Sequence, residues 1–214
     1  MTTMPLVAEE QALHVDLQTH AQTHAAAHEE EHDRPGINRM GLWLFMASES
    51  MLFLAMSAAR FYLNGFDKGE VNLALGVVLT FILLGSSWLG YQATGAIEAG
   101  NRGKAIRSLL LASVLGIVFI GGVGVEWHTA AFGAALTPPV APQATSFGTA
   151  FFVMTGLHVF HLITGLAGLL LAANLLRKGQ FGPNDHWGVT AVVRYWTFVD
   201  VMWLVIVFPV LYLL

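Results

Sequence analysis

A single glutamate inside an otherwise apolar run constrains this chain more than any other feature. Residues 40–62 read MGLWLFMASESMLFLAMSAARFY, long enough to cross a bilayer, with Glu49 near the middle. At about 1.5 Å rise per residue, Glu49 lies about 13 Å from the Met40 end, close to the midplane of a hydrocarbon core about 30 Å thick. A charge at that depth costs at least about 2.5 kcal/mol on insertion scales. Glu49 must therefore turn inward to partners on other helices, carry a proton, or do both.

The rest of the chain matches that environment. Of its 214 residues 55% are hydrophobic and only 11% are charged, where an ordinary soluble domain has about 25% charged residues. Residues 1–39 hold nine of the 24 charged side chains, so the remaining 175 residues are almost bare of charge. The net charge of −4 argues against nucleic acid as a partner, and the absence of cysteine removes disulfides, thiolate metal sites and cysteine nucleophiles. The N-terminus has acidic Glu9, Glu10 and Asp16 and no basic region leading into an apolar one, so neither a secretory signal nor an Arg-rich transit peptide is expected.

Two parts are expected: a polar, His-rich tail over residues 1–36 and a membrane domain over 37–214. In the tail His20, His24, His28 and His32 recur every fourth residue after His14, beside Glu29, Glu30 and Glu31. If helical they share a slowly drifting face, which leaves a metal or proton-buffering site open beside the plainer reading of a solvated segment. The membrane domain is expected to be all-α, a five-helix bundle with spans at about 39–63, 71–94, 105–127, 147–176 and 189–213. The connection from His128 to Ser146 contains Thr137-Pro138-Pro139-Val140-Ala141-Pro142 and reads as extended. Arg34, Arg39, Arg102, Lys104, Arg107, Arg177, Lys178 and Arg194 fall at one side of the spans, against Arg60 and Lys68 at the other. That bias places the N-terminus in the cytoplasm and the C-terminus outside.

The ionisable groups well within the spans are Glu49, His158, His161 and Asp200, all at similar depth. They are expected to form a buried polar cluster with Thr155, joining the first, fourth and fifth helices. His158 and His161 are three apart and share a face, able to pair with a carboxylate or to hold a metal. No histidine pair on different helices at one depth suits haem, and no serine–histidine pair suits a protease. A structural hydrogen-bonded cluster and a role in handling protons both remain open. Small residues at Ala55, Ala59, Ala112, Gly116, Gly121, Gly122, Gly124, Gly165 and Gly168 suggest close helix packing, and Ser86-Ser87 are expected to bond back to their own helix.

The stretch FGTAFFVMTGLHVFHLITGLAGLLL, followed by RYWTFVDVMWL, resembles subunit III of the haem-copper oxidases, the cytochrome c and ubiquinol oxidase group, over nearly everything after residue 38. Ser48 and Glu49 stand in what looks like the family's glutamate-bearing helix. Glu126-Trp127 stands where the family has an acid followed by an aromatic. Thr155, Gly156, His158 and His161 carry its Thr-Gly-x-His-x-x-His pattern, and Tyr195, Trp196, Phe198, Asp200 and Trp203 its closing motif. The chain departs from the pattern at Arg194, Thr197 and Thr190, and resembles the five-helix bacterial form.

The resemblance implies a multi-pass protein of a bacterial plasma membrane. It would be a subunit of an oxidoreductase complex in the respiratory electron transport chain, with no redox centre of its own. Haem and copper would sit in the partner subunit I, with subunit II alongside and structural phospholipid between helices. Its part would be to support the stability and proton uptake of subunit I. The related subunit of nitric oxide reductase systems, and a small membrane transporter, are the alternatives.

Overall fold

The computed structural model describes residues 36–63, 65, 71–129, 146–182 and 185–214. The tail histidines, the Pro-rich connection and Lys68 lie outside the described residues. The chain divides into two compact units, residues 1–45 and 46–214. In the first, residues 36–45 are helical. The second carries the packed helices.

Five helices are long and apolar enough to cross a membrane: α1 (Gly36–Leu63), α2 (Leu73–Glu98), α3 (Arg102–Thr129), α4 (Ser146–Lys178) and a fifth span over Trp187–Leu213. Among the described residues there are no strands, only one isolated bridge between Gly182 and Asp185. The architecture is thus an all-α, five-helix membrane bundle. Most helices run a few residues past their expected ends. Gly95 does not stop α2, because the chain turns only where Gly100 adopts φ +72°. There Asn101 N–H reaches Ala96 O and Gly100 N–H reaches Ile97 O, the paired bonds that close a helix on a left-handed glycine. Gly179 (φ +86°) ends α4 in the same way, with Gln180 N–H on Leu175 O.

The fifth span is not one regular helix. It is α-helical as α5 (Trp187–Met202) and then widens to π-helical turns at Trp203–Val207 and Pro209–Leu213. Pro209 has no N–H to give, and its ring would strike the carbonyl four residues back in an α-helix; a wider turn avoids that clash.

Helix α2 packs on α3, α3 on α4, α4 on α5, and α5 returns to α2, closing a four-helix ring. Two tryptophans from the fifth span fill its axis, both fully buried. Trp196 lies against Gly116 of α3 and Gly165 of α4, where an added Cβ would come within 2.6 and 2.8 Å of the indole. Trp203 meets Phe119 of α3 and His158 of α4, each at 4.9 Å between ring centroids. Within the second unit, α1 leans on α4 through Phe53, which is fully buried and packs on His158 and His161.

The small residues therefore act differently from expectation. Gly116, Gly165 and Gly168 make room for Trp196 and Val192 rather than for a neighbouring backbone, whereas Gly121 and Gly124 have open space beside them and Ala55 and Ala59 are exposed. A single sequence shows where Cβ is missing but not what enters the gap.

Candidate functional site: polar groups inside the spans

Glu49 and His161 meet, with Oε2 and Nε2 2.8 Å apart. The His161 side chain is 6% exposed and that of Glu49 is 21% exposed, so the pair sits between α1 and α4 with the carboxyl edge open. His161 Nδ1 lies 2.7 Å from the carbonyl of Leu157, one turn earlier. Tyr195 reaches toward the same turn, its hydroxyl donating to His161 O at 3.5 Å.

His158 goes elsewhere. Successive i, i+3 positions on a helix point about 60° apart, enough here to send the two histidines to different neighbours. His158 is fully buried, and its Nε2 lies 3.2 Å from the carbonyl of Val199 on α5, among Phe53, Phe119 and Trp203. A carbonyl oxygen only accepts, so the ring nitrogen facing it carries hydrogen. His158 is accordingly protonated at Nε2 and His161 at Nδ1.

Asp200 accepts from the hydroxyl of Ser87 on α2, and its other oxygen, Oδ1, is buried with no hydrogen-bond partner. Thr155 serves α3 instead of the histidines: it accepts from Trp127 Nε1 at 2.9 Å and donates to Phe151 O at 2.6 Å. One cluster joining α1, α4 and α5 was expected from the sequence. The structure separates it into a Glu49–His161 pair, a His158–Val199 bond, an Asp200–Ser87 bond and a Thr155–Trp127 bond. Equal depth brought these residues to one layer, but the direction of each side chain around its helix decided its partner.

The serines also depart from expectation. Ser86 donates to Ala112 O on α3 and accepts from Trp196 Nε1, while Ser87 turns to Asp200, so both link helices. Return bonds to the same helix occur at Ser50, Ser57 and Ser113. Trp203 Nε1 donates to Thr80 Oγ1 at 3.0 Å. In hydrocarbon an indole N–H has no water to turn to, and a hydroxyl on the next helix supplies the acceptor.

Two buried polar residues near the far ends of the spans add to the expected four. Glu126 is 3% exposed and accepts from the Tyr212 hydroxyl, tying α3 to the last turn of the fifth span. Arg60, counted from sequence on the side of the spans that carries few basic residues, is 1% exposed. It donates to Gly65 O, and its guanidinium lies 5.1 and 5.5 Å from the rings of Phe61 and Phe147. The Phe-rich start of α4 was the available signal for that cation–π partner. Of the remaining motif residues, Ser48 is exposed on α1, Gly156 lies beside Trp127 with room for a methyl group, and Phe198 packs on the core. Among the described residues no three His, Asp or Glu side chains are placed to hold a metal.

Comparison with known proteins gives a consistent result. The sequence matches the family described as Cytochrome c oxidase subunit III over residues 2–213. The match thus extends over the tail as well, where the resemblance read from motifs began only after residue 38. A protein named cytochrome c oxidase subunit 3 from Thermostichus vulcanus is 30% identical over 190 residues, covering 86% of this chain and 90% of that protein. One of the same name from Corynebacterium diphtheriae is 29% identical over 182 residues, 80% and 86% of the two chains. The Gallus gallus protein of that name is 34% identical over 179 residues, 78% of this chain but 66% of the longer relative. These similarities do not favour the nitric oxide reductase or transporter alternatives.

Proposed function

This chain belongs to the cytochrome c oxidase subunit III family, and we propose that it is a non-catalytic subunit of a haem-copper terminal oxidase. It docks in the membrane beside subunit I, which carries haem and copper, with subunit II in the same complex. Its contribution is to the stability of subunit I and to proton uptake there, in the aerobic respiratory chain of a bacterial plasma membrane. Phospholipid held against its helices belongs to the same reading.

The observation that carries this proposal is the use to which the chain's own donors are put. His158 Nε2 and His161 Nδ1 face carbonyls, His161 Nε2 faces Glu49, and Asp200 faces Ser87. These residues do not fit a haem or copper site, which needs converging imidazole, thiolate or thioether ligands. In this reading the redox chemistry belongs to the partner subunit. Mid-membrane polar groups bound to one another suit a scaffold that holds a defined shape against a neighbour.

Affinity purification of the tagged full chain from its native membrane tests the reading. Co-purification of haem-bearing subunits is the expected result. A colourless homo-oligomer would overturn it.

A further inference from the structure

We propose that Arg194, lying over Trp187 on the outer face of the fifth span, holds the phosphate of an anionic phospholipid from the leaflet at that end of the span. The inference goes beyond the proposed function: it stands on the span and on one guanidinium, and holds whether or not the chain assembles with an oxidase. Arg194 is one of the positions at which the chain departs from the family pattern, so the resemblance assigns it no role.

Helical spacing puts Arg194 on the outside of the bundle. Val193 of α5 lies against Gly90 of α2, Val192 against Gly168 of α4, and Trp196 fills the axis. Trp187 precedes Arg194 by two helical turns and returns to the same azimuth within about 20°. Thr197 and Val201 continue that side and are exposed, and Arg194 itself is half-buried. Its Cα lies about 10 Å inside the start of α5 at Trp187. The charge does not stay at that depth. The guanidinium carbon is 5.4 Å from the centroid of the Trp187 ring, so the aliphatic stem runs back along the helix and carries the charged head toward the first residue of the span.

No carboxylate of the chain answers that charge. Among the described residues the ion pairs join Glu49 to His161 and Glu98 to His186, and neither reaches Arg194. The face of an indole attracts a cation but leaves the edge of the guanidinium fork unbonded. That edge carries its donors in one plane, an arrangement that fits two oxygens of a phosphate. Tryptophan at the end of a span marks the level of the lipid head groups, where phosphate oxygens are abundant acceptors. The same end carries Arg177 and Lys178 against Glu98 and Asp185, and eight of the ten lysines and arginines of the chain fall on that side. A head group with net negative charge is therefore favoured over a zwitterionic one. The retreat of the guanidinium toward the head groups also favours phosphate over a carboxylate on a neighbouring helix, which can meet an arginine at any depth.

The test uses the full chain, tagged, purified with the subunits that accompany it, stripped of lipid in detergent and titrated with dioleoyl phosphatidylglycerol. Native mass spectrometry counts the bound lipid at each concentration. Arg194→Gln should lose one bound phosphatidylglycerol or weaken its binding by at least about tenfold, with the same subunits co-purifying. Arg194→Lys keeps the charge without the fork and should fall between the two. Lys178→Gln removes an exposed charge at the same end and should leave the count unchanged. Glycerophosphate at millimolar concentration has the phosphate without the acyl chains and should not compete. Three results overturn the proposal. Equal binding by the parent, Arg194→Gln and Arg194→Lys would leave the guanidinium to another occupant, such as a carboxylate of a neighbouring subunit. An equal loss in Lys178→Gln would reduce the effect to surface charge. Full competition by glycerophosphate would assign the site to a soluble phosphate. If haem-bearing subunits fail to co-purify, the oxidase reading falls while this titration stands.

Discussion

At the scale of single residues, glycine and hydroxyl positions matter because of the side chains that enter them. A Cβ on Gly116 would sit 2.6 Å from Trp196 Cη2, whereas a Cβ on Gly121 meets nothing within 4 Å. Gly116→Leu should therefore destabilise the protein by about 1–3 kcal/mol through overpacking, and Gly121→Leu should lie within about 0.5 kcal/mol of the parent. Thermal unfolding in one detergent compares the two, and equal effects would show that Trp196 does not depend on that space. A similar argument applies to Asp200, whose Oδ2 accepts from the Ser87 hydroxyl while Oδ1 is buried without a donor. Ser87→Ala would leave both carboxyl oxygens without a donor and should cost about 1–3 kcal/mol, read in the same unfolding assay. Ser50→Ala, which removes only a return bond to Met46 O, should cost less.

At the scale of helices, the fifth span organises the bundle. Val189, Val193, Trp196, Val199 and Trp203 are buried along one stripe at helical spacing. Its two tryptophans each touch α3 and α4 and each donate to a hydroxyl on α2. Its final turn, widened at Pro209, is held to α3 by the Tyr212–Glu126 bond. Tyr212→Phe keeps the ring against Gly76 and Phe208 but leaves Glu126 without that donor, at a cost of about 1–3 kcal/mol. Amide hydrogen exchange should rise over Pro209–Leu213 while that of Trp187–Met202 stays as it was. A rise spread evenly over the whole span would mean that the terminal bond is not what anchors the turn.

At the scale of the whole molecule, the distribution of basic residues predicts an orientation that a fusion can test, and the burial pattern marks the exposed faces. Eight of the ten lysines and arginines fall on the side assigned to the cytoplasm. A reporter active only in the cytoplasm should be silent when fused after Leu214 and active when fused in the 177–188 connection. The reverse pattern would invert the topology. Arg60, one of the two exceptions, is bound to Gly65 O and two phenylalanine rings. Large apolar side chains remain exposed on the outer faces, among them Phe81, Trp88 and Phe160. Such surfaces suit lipid or a neighbouring membrane subunit.

The sequence alone determined that this chain crosses a membrane five times, because twenty-residue apolar runs have no other stable solution in a bilayer. Its helix 1 glutamate, paired histidines and closing Tyr-Trp-x-Phe-Val-Asp motif were enough to indicate the family. Depth was legible too, since rise per residue converts position directly into distance across the bilayer. Partner choice was not. It depends on azimuth around each helix and on how neighbouring helices rotate against it, quantities that no single span contains. Tertiary packing therefore decided that His161 takes Glu49 while His158 takes the Val199 carbonyl, and that Ser86 and Ser87 bridge helices. It also decided that Gly116 and Gly165 frame an indole. Each outcome follows from the same requirement, that a polar group removed from water must find its hydrogen bond within the protein.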